Sequence, residues 1–564
     1  MSLFSSIRMA ANAMQANQIG LQVVGQNIAN ANTPDYIREE LILTPAPTQK
    51  IGNLLLGNGV QIEAVVQKID LFLEERLRGS ISQRSDAETE ETAYSQLESL
   101  INELGENSIG SYLEQFASSI SDVLNAPESV STRNMAVLQA TTVTEAINNL
   151  ADGVSSLWSD TNDRVINMAA DINRLTEDIR RLNIQISDTE GGNTTESDAV
   201  GLRDQRLADL QDLAELIDIK VQEQPSGSVV VYCGETYLVY EGYSQQVEAV
   251  IDSESGKPTA DIQVVTTQAS LNPAGGELRG LLDVRDKMLS GFGDGLDHFA
   301  RNLIFEFNKV YSSGQGLTGY SSVTSESAVI DPAASVDSTG LPFTPTNGSF
   351  QVITRVKSTG LTTTSTINVD LDGLGPKTTV NDLITQLKGI SGLDVSLNAE
   401  NRLVIKADSG IEFSFGNDSS GALAAFGINT FFSGSNAANI GVSKVVTGDP
   451  AKFAASQSGI GKGTENAVVL ADFLNLPVKS ENGDTLSVLY NRLTADVTQS
   501  SSIAQSTAEG ARTFEETLRA QKTAISGVSI DEETVQMMAY QRAFQASARF
   551  ISVVSELFDV LVNI

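Results

Sequence analysis

Cysteine and histidine are almost missing from this chain of 564 residues: Cys233 and His298 are the only ones. A single cysteine excludes an internal disulfide, and one thiol with one imidazole cannot build a Cys- or His-rich zinc site. One histidine has no second partner of the kind most imidazole chemistry requires, so its ordinary reading is a structural residue on a helix. Positive charge is scarce too. Lys and Arg number 37 against 71 Asp and Glu, a formal net charge of −34. Nucleic acid and anionic membrane surfaces repel such a chain, and neither is expected as a partner. No run approaches the ~18 apolar residues needed to span a bilayer. The N-terminal stretch carries one charge, Arg8, and its apolar residues are interrupted by Asn12, Gln15, Asn17, Gln18, Gln22 and Gln26. It does not read as a cleaved secretory signal. Hydrophobic residues, at 41%, suffice for several cores, and the length predicts three or four domains at ~100–200 residues each.

The ends carry the strongest pattern. Leu3, Ile7, Ala10, Met14, Leu21, Val24 and Ile28 recur in steps of four and three, with Asn17 in one slot. This is a heptad seam, which keeps one stripe of a helix facing a partner. Pro34 is expected to stop the helix. The C-terminal end has the same character: Met537, Tyr540, Phe544, Ile551, Val554, Phe558 and Leu561, with Ser547 in the polar slot. Ser529 and Glu532 fit a capping box, and Asp531 and Glu533 suit a helix N-terminus. Chain ends fray unless something holds them, so apolar seams in both terminal segments predict that the ends pair, with each other or with other copies. Their outer faces are Ala, Ser, Asn and Gln rather than the usual charges, which suits packing among identical neighbours.

The segment Gln26-Asn27-Ile28-Ala29-Asn30-Ala31-Asn32-Thr33-Pro34-Asp35-Tyr36 resembles the N-terminal signature of flagellar rod, hook and hook-associated proteins. Asp35 stands where that family has glycine; aspartate tolerates a left-handed backbone better than most residues, so the turn is expected to survive. Gly527-Val528-Ser529-Ile530-Asp531-Glu532-Glu533 and Met538 to Arg549 are similar to the C-terminus of the hook-associated members, and two inner segments, Leu202-Arg203-Asp204-Gln205-Arg206 and Gly276 to Asp286, also resemble those members. A histidine expected after the helix bearing Asn308 is absent, and Tyr311 stands near its place.

Between the ends, the pattern from Asp70 to Val221 is mainly helical, with a third seam at Val165, Met168, Ile172, Leu175, Ile179, Leu182 and Ile186 that Gly191-Gly192-Asn193 breaks. Val229–Tyr232 and Tyr237–Tyr240 flank Gly234 as a hairpin. Helical pattern returns from Gly280 to Tyr311. From Ser321 to about Gly448 the alternation of Phe350, Val352 and Val356, of Ile367, Val369 and Leu371, and the runs Leu403–Ile405 and Ile411–Phe415 predict strands, with one short helix at Val380–Leu387. Phe431 to Ile440 resembles a family segment that returns the chain to the helical body, and a last helical region runs from about Thr485 to Ala524. The expected fold is multidomain and mainly α, with an inserted β-rich (α+β) region. Three parts are expected: a terminal coiled coil of residues 1–69 plus 520–564; a long-helix body of 70–320 plus 449–519 with a β-hairpin subregion near 228–275; and an inserted β-rich outer domain at 321–448.

Two motifs fail on inspection. Gly459 to Thr464 is superficially a phosphate loop, but Ser456 holds the place of the first glycine and Gly463 that of the magnesium-binding hydroxyl. Asn368, Asp370, Asp372 and Gly373 suggest a calcium loop, yet position twelve is Thr379 and the flanks read as strand. No catalytic residue, cofactor or metal is assigned, and the chain is read as not an enzyme.

The resemblance implies a structural subunit at the junction of flagellar hook and filament. It implies copies of itself in a ring, hook protein, a second junction protein and an export chaperone as partners, and an extracellular place reached without a cleaved signal peptide. The seam residues expected to carry assembly are Leu3, Ile7, Met14, Leu21, Val24 and Ile28 with Tyr540, Phe544, Ile551, Val554, Phe558 and Leu561. The alternatives are another axial flagellar protein (hook, rod or second junction protein) or a secreted carbohydrate-binding or hydrolysing protein.

Overall fold

The computed structural model describes residues 3–33, 35–51, 54–101, 108–190, 197–253, 257–461 and 463–562; Pro34, Lys462 and the Gly191-Gly192-Asn193 breaker lie outside the described residues. The chain is multidomain and mainly helical. It divides into two compact units: Met1–Ala93 with Ser159–Arg285 and Ser502–Ile564, and Tyr94–Trp158 with Asp286–Ser501.

In the first unit the N-terminal helix Leu3–Asn30 leads into a turn at which Asp35 has φ 59°, so aspartate does hold the left-handed turn as expected. The strands Glu39–Pro45 and Val60–Gln67 then pair antiparallel, with a bulge between Ile42 and Leu43. Heptad counting does not predict this hairpin. The third seam lies in a single helix, Val130–Glu190. Val165, Ile172, Ile179 and Ile186 are fully buried. Most of this seam packs with Leu73, Leu77 and Ile81 of the helix Leu71–Ile101, with Leu210 and Leu213 of the helix Val200–Leu216, and with Leu518. The expected hairpin forms from Val229–Cys233 and Thr236–Tyr240 within a four-stranded antiparallel sheet, and Val231 and Leu238 join the same core.

Both inner sequence motifs are packing hubs of this unit. Arg203 holds Glu190 and Glu223, each at 2.8 Å. Arg206, 4% exposed, donates to Asn183 Oδ1 at 3.0 Å and to the Gly227 carbonyl at 2.7 Å. Gly276 has φ 87°, and a Cβ there would sit 2.6 Å from Ile217 Cα. A Cβ on Gly280 would lie 2.8 Å from the Asp86 carbonyl. The motif therefore needs glycine at both positions, because the helix Glu277–Asp283 approaches its neighbours at backbone distance.

The second unit carries the β-rich region. Strand Gly348–Val356 lies between Thr362–Val369 and Ile411–Gly416, and Arg402–Ala407 lies between Ser322–Ala328 and Leu393–Leu397. The short helix Val380–Lys388 opens on a complete Thr379–Asp382 capping box. Val352, Ile367, Leu383, Ile405 and Phe413 share one core. Elsewhere in this unit Phe116, Phe307, Phe431, Phe432 and Phe473 pack ring against ring. Asn308 fixes that cluster: its Oδ1 accepts from the amides of Phe431 and Phe432 at 2.9 and 3.0 Å, and its Nδ2 donates to the Phe432 carbonyl at 2.8 Å. Arg133 is wholly buried and donates to the Pro127 and Phe453 carbonyls.

The isolated chemical groups are quiet. Cys233 is buried, and burial pushes its thiol up to about 12. His298 sits half-exposed on the helix Ser290–Ser312, 3.1 Å from Glu481. Asp370 and Asp372 accept from backbone amides of their own turn. Among the described residues no cluster of His, Cys, Asp or Glu is disposed to hold a metal, and no helix is long and apolar enough to cross a membrane.

Candidate assembly site at the paired terminal segments

The N-terminal helix and the C-terminal helix Ile530–Val562 pack along each other. Three contacts fix their direction. Phe4 meets Phe558 edge to face with centroids 4.9 Å apart. A Cβ on Gly20 would fall 2.7 Å from the Tyr540 ring. Asn27 bonds Glu533. Low numbers meet high ones, so the helices run antiparallel.

On the C-terminal helix, Val554 is buried, and Met537, Tyr540, Phe544, Ser547, Ile551 and Phe558 are half-buried on a helix otherwise mostly exposed. On the N-terminal helix, Val24 is buried, and Ile7, Met14, Leu21 and Ile28 are half-buried. The deepest positions there are instead Ser6, Ala10, Ala16, Gly20, Val23, Val24 and Asn27. Small residues lie inward because this helix is covered by the hairpin strands as well as by the C-terminal helix, and because Tyr540 fills the space over Gly20. The side chains of Leu3 and Leu561 lie outside the described residues.

A polar clasp closes one end of this pair. Asn27, 1% exposed, uses both amide hydrogens and both acceptor positions. It donates to the Glu39 carbonyl at 3.0 Å and to Glu533 Oε2 at 3.1 Å, and accepts from the Tyr36 hydroxyl and the Glu39 amide, each at 2.9 Å. Glu533 is also 1% exposed. A carboxylate so buried is costly unless paired, and Arg38 supplies the charge, with Nε and Nη2 at 2.8 and 2.7 Å from Oε1. The Arg38 amide donates to the Ser526 carbonyl at 2.9 Å. Ser529 Oγ accepts from the Glu532 amide at 3.4 Å, while the Glu532 carboxylate reaches Arg38 rather than completing the capping box. Behind this layer Lys522 lies 3.1 Å from Glu74 and 3.6 Å from Asp35. The Gln211 amide, oriented to satisfy both neighbours, bridges Asp35 and Lys522 at 3.0 Å each.

Burial dominates the titration of this region. It raises the Glu39 carboxyl, against the lowering effect of a hydrogen bond from Tyr36. It also raises the Tyr36 hydroxyl, with the Glu39 charge adding to the rise. Asp204, which accepts from Gln67 Nε2 at 2.5 Å, is pushed up to about 6 by burial. The clasp is a means of holding two chain segments together; it offers no nucleophile paired with a base. Sequence periodicity finds the seam and passes over Arg38, Lys522 and Glu533 as clasp members. The available signal is antiparallel pairing itself, which sets Arg38, just beyond the N-terminal signature, against the acidic start of the last helix.

The comparisons with known proteins follow the same division. A description of flagella basal body rod protein matches residues 7–36, and one of the C-terminal part of flagellar basal body rod FlgEFG proteins matches 521–564. The flagellar hook-associated protein FlgK helical domain matches 94–323. Flagellar hook-associated protein 1 of Salmonella typhimurium is 25% identical over 606 residues, covering 99% of this chain and all of the relative. The Bacillus subtilis protein of that name is 24% identical over 572 residues, covering 100% and 98%. The solved flagellar hook junction protein FlgK from Burkholderia pseudomallei covers 80% of this chain at 15% identity with a TM-score of 0.49.

Paired terminal segments that each match a rod-protein description define an axial structural protein of the bacterial flagellum. The long helical stretch between them and the full-length likeness narrow this further: the chain is similar along its whole length to flagellar hook-associated protein 1.

Proposed function

We infer that this chain is a structural subunit that joins flagellar hook to filament and that copies of it assemble through their terminal helices into a ring. The observation that carries this reading is the Asn27–Arg38–Glu533 clasp, because it ties the two terminal signatures into one element. That element also leaves an apolar stripe uncovered. Phe550, Val553, Leu557 and Val560 on the C-terminal helix are between 43% and 58% exposed. A contiguous exposed apolar patch marks an interaction surface, and neighbouring copies packed side by side would cover it.

On this reading the terminal helices form a coiled coil near the axis of a tube. The seam assigned from sequence carries the pairing, the long-helix body of 70–320 plus 449–519 surrounds it, and the β-rich 321–448 faces outward. Hook protein and the second junction protein bind on either side. The subunit travels with an export chaperone and leaves the cell unfolded through the flagellar channel. Its work is mechanical, and it is not an enzyme. Electron microscopy of cells lacking the gene is the test. Hooks without filaments, with flagellin shed into the medium, are expected; normal flagella would reject the junction role.

A further inference from the structure

The layer behind the Asn27–Arg38–Glu533 clasp differs from it in kind, because it sets an amine against a base. Lys522, Glu74 and Gln211 meet there, 9%, 1% and 5% exposed. Asp35 joins them from the turn after the N-terminal helix, its side chain 30% exposed. All four residues belong to the first unit. Lys522 Nζ is 3.1 Å from Glu74 Oε1 and 3.6 Å from Asp35 Oδ1. The Gln211 carboxamide bridges amine and carboxyl group, its oxygen accepting from Nζ and its nitrogen donating to Asp35 Oδ1, each at 3.0 Å. Glu74 Oε2 is closed off from solvent. Asp35 itself has φ 59°, a conformation that glycine adopts most readily, so a side chain is held at this turn against the usual preference.

An amine, a carboxyl group and a second carboxylate in contact away from bulk water are the components of an amide-forming reaction. A lysine becomes a nucleophile when it is desolvated beside a group that takes its proton, and Glu74 Oε1 is placed to act as that base. The Gln211 amide hydrogen points at the oxygen that gathers charge when Asp35 Cγ is attacked. Partners held together in this way react as though at about 10⁵ M or more, which favours condensation over its reversal by water.

We propose that Lys522 and Asp35 condense in the folded chain to an isopeptide bond. Glu74 takes a proton from the Lys522 ammonium, Nζ attacks Asp35 Cγ, and one Cγ–O bond breaks. The oxygen leaves as water with the two protons that Nζ has lost, and Glu74 ends as it began. The step needs no oxidant, reductant or co-reactant. The bond ties the turn behind the N-terminal helix to the end of the helix Leu486–Ser526, where the Ser526 carbonyl already accepts from the Arg38 amide. The clasp is thereby backed by a covalent link. Only the folded chain is required, so the test stands apart from that of the junction role.

Mass spectrometry of the full-length chain tests it. The chain is pulse-labelled during expression, purified in its native state, sampled over time and denatured for measurement. A species lighter by one water is expected to accumulate, and its protease digest should hold one branched peptide joining Lys522 to Asp35. Asp35→Gly, which suits the left-handed backbone, and Lys522→Arg, which keeps the charge, should each retain full mass. Glu74→Gln should slow the appearance of the branched peptide about a hundred-fold, the lower end of what a positioned base contributes. If Glu74→Gln does not fold, the branched peptide in the natural chain and its absence from Asp35→Gly decide the matter. A folded natural chain that keeps its full mass, a branch from Lys522 to any residue other than Asp35, or a rate indifferent to Glu74→Gln would overturn the proposal.

Discussion

Asn27 and Glu533 stand 506 positions apart in sequence and 3.1 Å apart in space, amide to carboxylate, and both are buried. Asn27 has no spare hydrogen-bonding site. Asn27→Asp replaces the donor with a second carboxylate against Glu533. A buried unpaired charge costs about 3–5 kcal/mol. Amide hydrogen exchange in the first turns of the helix Ile530–Val562 should therefore quicken about a hundred-fold or more. Unchanged exchange there would show that the clasp does not hold the helix.

Gly20 is required by the Tyr540 ring rather than by its own backbone conformation. Gly20→Ala should open the helix pair at a cost of about 1–3 kcal/mol, the usual range for overpacking. Adding Tyr540→Leu should recover most of that loss. Exchange protection of both terminal helices, or protease resistance of the first 30 residues, reads the effect; a loss that Tyr540→Leu leaves untouched would remove the steric explanation.

Ile551 is a half-buried seam position with Val554 one turn on. Ile551→Asp sets a charge in the stripe that faces the N-terminal helix, at a cost of several kcal/mol in every subunit. Filament attachment should be lost while the monomer stays soluble. Normal filaments on cells with only this variant would refute the seam assignment.

Asp204 and Asp209 are both raised to about 6, chiefly by burial, with Asp178 and Asp212 adding to the rise of Asp209. Between the unfolded value near 4 and pH 6 the folded chain binds more protons at these groups, so their contribution to stability grows as pH falls from 7 toward 4. Asp204→Asn should remove its share of that slope. It should also stabilise the helix Val200–Leu216 at neutral pH by about 1 kcal/mol, after allowance for screening of a partly exposed group. Exchange protection of that helix across pH 4–7, variant against parent, checks the sign.

The terminal helices show where sequence is readable and where it is not. On the C-terminal helix Met537, Tyr540, Phe544, Ser547, Ile551 and Phe558 are half-buried and Val554 is buried, a single face that large residues mark. The N-terminal helix has two partners. Gly20, Ala16 and Asn27 go inward there, and a count of large apolar residues misses them. The hairpin Val229–Cys233/Thr236–Tyr240 was legible from two apolar runs flanking Gly234, and the helix Val380–Lys388 from a short helical run at Val380–Leu387. The strands Glu39–Pro45 and Val60–Gln67 were not, since their pairing depends on the helix they cover. The clasp was half legible: Asn27 and Glu533 sit in recognisable motifs, but motif matching says nothing about one bonding the other.

That bond has a consequence for how the chain matures. Asn27 and Glu533 stand 506 positions apart, so the clasp is a contact of very high sequence separation, the slowest kind to close. Until Glu533 arrives, the N-terminal helix has the strands Glu39–Pro45 and Val60–Gln67 against it, but the face that receives the C-terminal helix is bare. A copy cut short before Glu533 keeps that face exposed and cannot present the paired element to a neighbour, so incomplete chains are excluded by their own chemistry.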